Sequence, residues 1–259
     1  MSARLVNKTA LVTGATSNIG RAIAIAFGAE GAHVAASGRS QERGHEVAGE
    51  IRAAGGRADF LTAHLDGSAR VSEDLAQQAA RVLGGRIDVL VNSAGIYPGL
   101  ATAATGEATF DEVYAVNVKA PFFLVAAIAP AMAEHGSGAI INLGSWIARI
   151  GIPVGSLYSS TKGAIETLTR AWAAEFGPAG VRVNAISPGV IRPSGARRPD
   201  SVADRASEPM MRGTPAGDSG TPEAIALAAV YLASDESSFV HGTVMDVDGG
   251  RANIVVIAM

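Results

Sequence analysis

Along the 259 residues, short apolar runs alternate with longer stretches whose apolar positions recur at helical spacing. The short runs, rich in aliphatic and β-branched residues, predict strands at Thr9–Thr13, His33–Ser37, Ala58–Ala63, Ile87–Asn92, Ala139–Leu143, Val181–Ser187 and Thr243–Val247. The alanine-rich stretches between them predict helices over about 19–29, 41–54, 70–83, 107–134, 157–176 and 222–233. Strands that are apolar on both faces and joined by helical crossovers make a parallel sheet covered on both sides, a doubly wound α/β fold. Ligands in such folds bind beyond the carboxyl ends of the strands, near the point where strand order reverses. The residues just after each strand are therefore the candidates for function.

One segment, residues 192–220, breaks the alternation and is rich in Pro, Gly, Ser and charge. Its length and its place after a strand end read as a substrate lid at about 190–220 rather than a linker, so 1–259 reads as one domain.

Composition removes several classes. A net charge of −3 with scattered arginines gives no basic stripe, so nucleic acid is not an expected partner. The lack of cysteine excludes disulfides, thiolate metal sites and a cysteine nucleophile, and is in keeping with a cytoplasmic protein. His33, His45, His64, His135 and His241 form no HExxH pattern or close pair, so no metal site is expected. The start, "MSARLVNKTALVTG", has no signal-peptide core, and no apolar run approaches the roughly 18 residues of a membrane span. Phe122–Ala133 reads as a buried helix, and no membrane partner is expected.

The strand ends carry the chemistry. After the first strand comes "TGATSNIG", residues 13–20, then a helical run. Backbone N–H groups at a helix start favour a pyrophosphate, and glycines let it approach, although a tight turn with incidental glycines reads the same way. Asn18 stands where a third glycine would be expected; asparagine tolerates a left-handed backbone and its amide can cap a helix beginning at about Ile19. The second strand ends in Gly38 and Arg39, which lack the acid that holds an NAD ribose and supply a cation for the 2′-phosphate of NADP; the other reading of Arg39 is a solvated charge. The fourth strand ends "NSAG", Asn92–Gly95, whose small residues leave room for a ribose.

Tyr158 and Lys162 lie four apart near a helix start and share a face, with Ser145 at the preceding strand end. A phenol with a reference pKa near 10 needs a neighbouring ammonium to ionise near neutrality. Tyr158 so placed exchanges a proton with an alcohol or carbonyl oxygen that Ser145 hydrogen-bonds, while a nicotinamide exchanges hydride with the carbon. The plainer alternative is a core-edge tyrosine and a solvated lysine.

In the order and spacing of these motifs the chain resembles the short-chain dehydrogenase/reductase family over almost its whole length. "TGATSNIG" is similar to TGxxxGxG, "NSAG" to NNAG, and "VNVKAPF", Ser145, "YSSTK", "SPGVI" and "VDGG" follow in family order. The resemblance implies a seven-stranded Rossmann-type sheet in the order 3-2-1-4-5-6-7, a homotetramer, and a catalytic tetrad of Asn117, Ser145, Tyr158 and Lys162. In it Tyr158 is the acid/base, Lys162 also binds the nicotinamide ribose, Ser145 positions the substrate oxygen and Asn117 holds a relay water. The positions assigned to the dinucleotide are Gly14, Thr16, Ser17, Asn18, Ile19, Gly20, Arg39, His64, Leu65, Asn92, Ala94, Gly95, Tyr158, Lys162, Pro188, Gly189 and Ile191. Substrate is placed against Ser145, Trp146, Ile152 and Tyr158, in a pocket walled also by Tyr97, Ile147 and the 190–220 segment. Three positions depart from the family pattern: Asn18, His64 in place of an adenine-contacting aspartate that Asp66 replaces on realignment, and Pro193 in place of a carboxamide-binding threonine.

The function expected is an NADP(H)-favouring oxidoreductase that interconverts a secondary alcohol and a ketone. The four-residue Tyr-to-Lys spacing differs from the seven of related enoyl reductases, which disfavours reduction of a carbon–carbon double bond. The alternative is a non-catalytic dinucleotide-binding or regulatory protein on the same fold.

Overall fold

The computed structural model describes residues 3–152, 155–192, 210 and 214–254. Its strands are β1 (Thr9–Val12), β2 (His33–Gly38), β3 (Arg57–Thr62), β4 (Val89–Asn92), β5 (Gly138–Leu143), β6 (Val181–Pro188) and β7 (Val244–Val247). The main helices are α1 (Asn18–Ala29), α2 (Gln41–Ala53), α3 (Ala69–Val82), α4 (Glu107–Tyr114), α5 (Ala120–Glu134), α6 (Ser156–Phe176) and α7 (Pro222–Ala233). All seven strands pair in parallel in the order β3-β2-β1-β4-β5-β6-β7, as the family resemblance implies.

The two-residue side-chain period of each strand feeds two apolar layers. Ala10 and Val12 of β1 join α1, α2 and α7 in one layer through Phe27, Ile51 and Ile225. Leu11 points the other way, into a layer that α3, α5 and α6 complete with Leu75, Leu124 and Trp172. Strand order reverses between β1 and β4, whose partners Val12 and Val91 lie side by side, so a crevice opens beyond their carboxyl ends.

The expected 107–134 helix is interrupted. Between α4 and α5 a single π-helical turn, Ala115–Lys119, carries Asn117 into the interior. The run Glu107–Glu134 is 28 residues long and holds an 18-residue window with a mean hydropathy of 1.6, so by length and composition alone it could cross a membrane. Asn117 and Lys119 interrupt it, so its uninterrupted apolar stretch stays shorter than a membrane span, as the sequence reading has it. In the fold, Leu124, Val125, Ile128, Ala129 and Met132 of this run are buried against the sheet and its neighbours.

The base of the 192–220 segment is closed by a bridge between Ile191 and Gly220, with Arg192 N–H donating to the Gly220 carbonyl at 2.9 Å. Most of the expected lid, including Pro193, lies outside the described residues.

Candidate functional site

A cleft of about 390 Å³ occupies the crevice where strand order reverses, running from the β1–α1 turn to the start of α6. Its floor is set by close backbone packing. Gly14 has φ +65°, and a Cβ there would lie 2.8 Å from Ala94 Cα; one on Gly20 would lie 2.3 Å from the Gly14 carbonyl oxygen. Thr13 Oγ1 ties this turn to the next loop, accepting from the N–H groups of Ser93 at 3.0 Å and Ala94 at 3.1 Å.

Asn18 adopts φ +45°, the left-handed conformation expected of it. The expected cap is corrected: α1 starts at Asn18 itself, its N-cap is Ser17, and no side chain closes the end. By contrast α2, α3 and α7 are capped by Ser40, Ser68 and Thr221, which accept from the N–H groups of Arg43, Val71 and Ala224. The first N–H groups of α1 thus face the cleft beside exposed Ser17 and Asn18, with the positive end of the helix dipole behind them. That is an anion site built from backbone, in a turn whose close packing a side chain at Gly14 or Gly20 would break.

Arg39 reaches the cleft from the end of β2; it is exposed and makes no hydrogen bond or ion pair among the described residues. His64 and Leu65 line the same end. Asp66 does not; its carboxylate accepts from the Ser68 N–H at 2.8 Å, and that bond holds its pKa below the usual carboxylate value. Ala94, Gly95, Pro188, Gly189, Ile191, Thr16 and Ile19 all line the cleft. Asn92 is instead buried in the sheet, donating to Asn142 Oδ1 at 2.9 Å, because the inward-facing register of β4 ends on it. An uncapped helix start, a tightly packed glycine turn and a cation without a side-chain partner among the described residues together fit a phosphate-bearing dinucleotide.

At the other end, Ser145 follows β5 and Tyr158 and Lys162 project from the first turns of α6. The Ser145 hydroxyl beside it favours ionisation of the Tyr158 phenol, but burial wins and pushes the phenol up to about 12. Burial also pulls Lys162 down to about 8. Its Nζ donates to the Leu143 carbonyl at 2.7 Å and sits 5.4 Å from the Tyr158 ring centroid. The ammonium thus lies beside the ring and is anchored to backbone rather than to the phenol oxygen. Asn117 is buried: its Oδ1 accepts from Ile96 N–H at 2.8 Å, and its Nδ2 donates to the Ile96 carbonyl at 3.0 Å and Thr161 Oγ1 at 3.2 Å. Both amide protons are used, so the side chain acts as a clamp on the loop after β4.

The expected substrate wall is partly relocated. Trp146 and Ile147 turn inward on a short 3₁₀ turn and are buried outside the cleft, with the Arg251 guanidinium 5.1 Å from the Trp146 ring centroid. Ile152 is half-buried and also outside it. Tyr97 lines the cleft, its ring centroid 4.9 Å from that of Tyr158. Sequence reasoning missed Thr13, Ser93, Ile96, Gly144, Glu112 and Val116; Glu112 lies just before, and Val116 within, a π turn that no motif announces. Among the described residues no three His, Asp or Glu side chains converge as a metal site.

Comparison with known proteins agrees with this geometry. A family model described as enoyl-(acyl carrier protein) reductase matches residues 14–252. The chain is 34% identical to a 3-oxoacyl-(acyl-carrier-protein) reductase of Thermotoga maritima over 95% of its own length and 98% of that protein. It is also 34% identical to a cyclopentanol dehydrogenase of Comamonas sp., with the same coverage. A solved structure described as an NAD(P)-dependent gluconate 5-dehydrogenase from Beutenbergia cavernae, with bound NADP, superposes with a TM-score of 0.87 at 39% identity, covering 97% of this chain and 99% of that one. Matched along nearly its full length in sequence, sheet order and strand-end motifs, the chain belongs to the short-chain dehydrogenase/reductase family of oxidoreductases.

Proposed function

We propose that the protein interconverts a secondary alcohol and a ketone with NADP(H) favoured over NAD(H), Tyr158 acting as general acid/base. The observation that carries this is Ser145, Tyr158 and Lys162 together lining one end of a cleft whose other end holds an uncapped helix and Arg39, which has no side-chain partner among the described residues. The uncapped α1 start and the Gly14–Gly20 turn hold the diphosphate, Arg39 the 2′-phosphate, and Lys162 the ribose hydroxyls. When bound, the nicotinamide supplies or takes the hydride. With its pKa near 12, Tyr158 is protonated at neutral pH and donates from Oη to a ketone oxygen, which Ser145 Oγ also hydrogen-bonds. Alcohol oxidation needs the phenolate and so gains as pH rises. Asn117, its amide spent on Ile96 and Thr161, leaves the main chain of the π turn as the group that can hold a relay water.

The names of the Thermotoga reductase and the Comamonas dehydrogenase support carbonyl chemistry. The Tyr-x-x-x-Lys spacing supports it over the enoyl reduction in the family model's description. We further read 1–259 as a single domain, cytoplasmic, and a homotetramer. Exposed Phe110 and Phe122 on the α4–α5 run favour assembly through that face. The test is to mix the protein with NADPH and a panel of ketones and follow nicotinamide absorbance. Turnover that Tyr158→Phe abolishes without weakening NADPH binding is expected. No turnover of any ketone, with NADPH bound equally by both forms, overturns the reading.

A further inference from the structure

Beside the Tyr158 phenol stands a second aromatic ring that the tetrad does not use. Tyr97 is 52% exposed, yet it is not a loose surface side chain. Its neighbour Ile96 is gripped at both N–H and carbonyl by the buried Asn117 amide. Farther along the same loop, Gly155 N–H donates to the Leu100 carbonyl at 3.2 Å and Thr102 Oγ1 meets Ser156 Oγ at 2.8 Å, stitching the loop to the start of the helix that carries Tyr158. Gly155 has φ +83°, and a Cβ there would lie 2.9 Å from Tyr97 Cε2. The turn before α6 is thus shaped around this ring. The two rings lie 4.9 Å apart at 59°, so Tyr97 presents a fixed apolar face next to the point where a substrate oxygen meets Tyr158. The indole and isoleucine that follow Ser145 are buried away from the cleft, whereas Ile96, Tyr97 and Val116 are among the apolar residues that line it. A half-exposed aromatic in a pre-set position gains more from being covered with an apolar group than with a hydroxylated one, whose hydroxyls must give up water.

We infer that Tyr97 is the specificity-determining residue of this site, and that its ring selects neutral ketones carrying an alicyclic or other bulky apolar group next to the carbonyl. The inference rests on the alcohol–ketone reading above and deepens it. The ring rather than the hydroxyl does the selecting, so phenylalanine should replace it and alanine should not.

The experiment measures kcat/KM with NADPH for cyclohexanone and for hydroxyacetone in the wild type, Tyr97→Phe and Tyr97→Ala, with NADPH affinity measured alongside. The wild type should prefer cyclohexanone. Tyr97→Ala should lose about tenfold or more on cyclohexanone, the scale of one or two methylenes in a pocket, and less than about threefold on hydroxyacetone. Tyr97→Phe should keep the preference, and all three should bind NADPH alike. Equal losses on both ketones would show that the ring only props the α6 turn, and a Phe variant as impaired as the Ala variant would show that the hydroxyl acts instead; either result overturns the assignment. A wild type inactive on every ketone overturns the alcohol–ketone reading itself.

Discussion

Lys162 is 6% exposed, and burial alone lowers its pKa from 10.5 to about 8. A lysine that binds fewer protons folded than unfolded destabilises the fold wherever both forms would be charged, that is below pH 8, and the penalty fades between pH 8 and 10.5. Lys162→Met removes it and orphans the Leu143 carbonyl, which returns about 1 kcal/mol. We therefore expect Lys162→Met to be more stable than the wild type by about 2 kcal/mol at pH 7 in denaturant unfolding, with the gap closing toward pH 10.5, and to lose turnover. Arg39 makes the opposite case: exposed and unpartnered, it has little structural duty. Arg39→Ala should leave stability unchanged and weaken NADPH binding in titration calorimetry at least tenfold more than NADH binding, because only NADPH offers the charge the guanidinium meets. Arg39 was legible in sequence because it stands at a strand end, and Lys162 because it shares a helix face with Tyr158 four residues before it. Asn18 was legible in half: its left-handed backbone follows from its chemistry, whereas the missing cap depends on where the helix begins, a matter of one residue.

At the scale of elements, the β1–α1 unit is the most tightly specified part of the site. Gly20 packs against the Gly14 carbonyl so closely that a methyl group would sit 2.3 Å from the oxygen. Gly20→Ala should therefore cost about 2–3 kcal/mol in unfolding and also weaken NADPH binding, since the helix start that faces the cleft must shift. The seven strands and the helices were readable from periodicity within a few residues. The π turn was not: "YAVNVK" has no glycine or proline to mark a break, and what accompanies the change of register is Asn117 reaching across to Ile96, a contact 21 residues distant. The same limit explains Trp146 and Ile147. Their residue types suit a pocket wall, but a short 3₁₀ turn after Ser145 swings both inward, and periodicity carries no signal of that direction.

Over the whole molecule, sheet order decides where function lies. Because strand order reverses between β1 and β4, the glycine turn, the cation after β2, the loop after β4 and the first turns of α6 meet in one cleft although they span residues 14–162. That convergence follows from strand order and was therefore legible before any side-chain contact. Which groups face a substrate was not, since it depends on loop packing around Tyr97 and Gly155. The central claim is that hydride passes between the cofactor at one end of this cleft and a carbonyl carbon held at Ser145 and Tyr158. The direct measurement uses NADPH deuterated at both C4 positions, a reducible ketone and mass spectrometry of the alcohol formed. The account predicts one deuterium on the carbinol carbon with the wild type and no alcohol above background with Tyr158→Phe. Unlabelled alcohol, or labelled alcohol formed as fast by Tyr158→Phe, would contradict it.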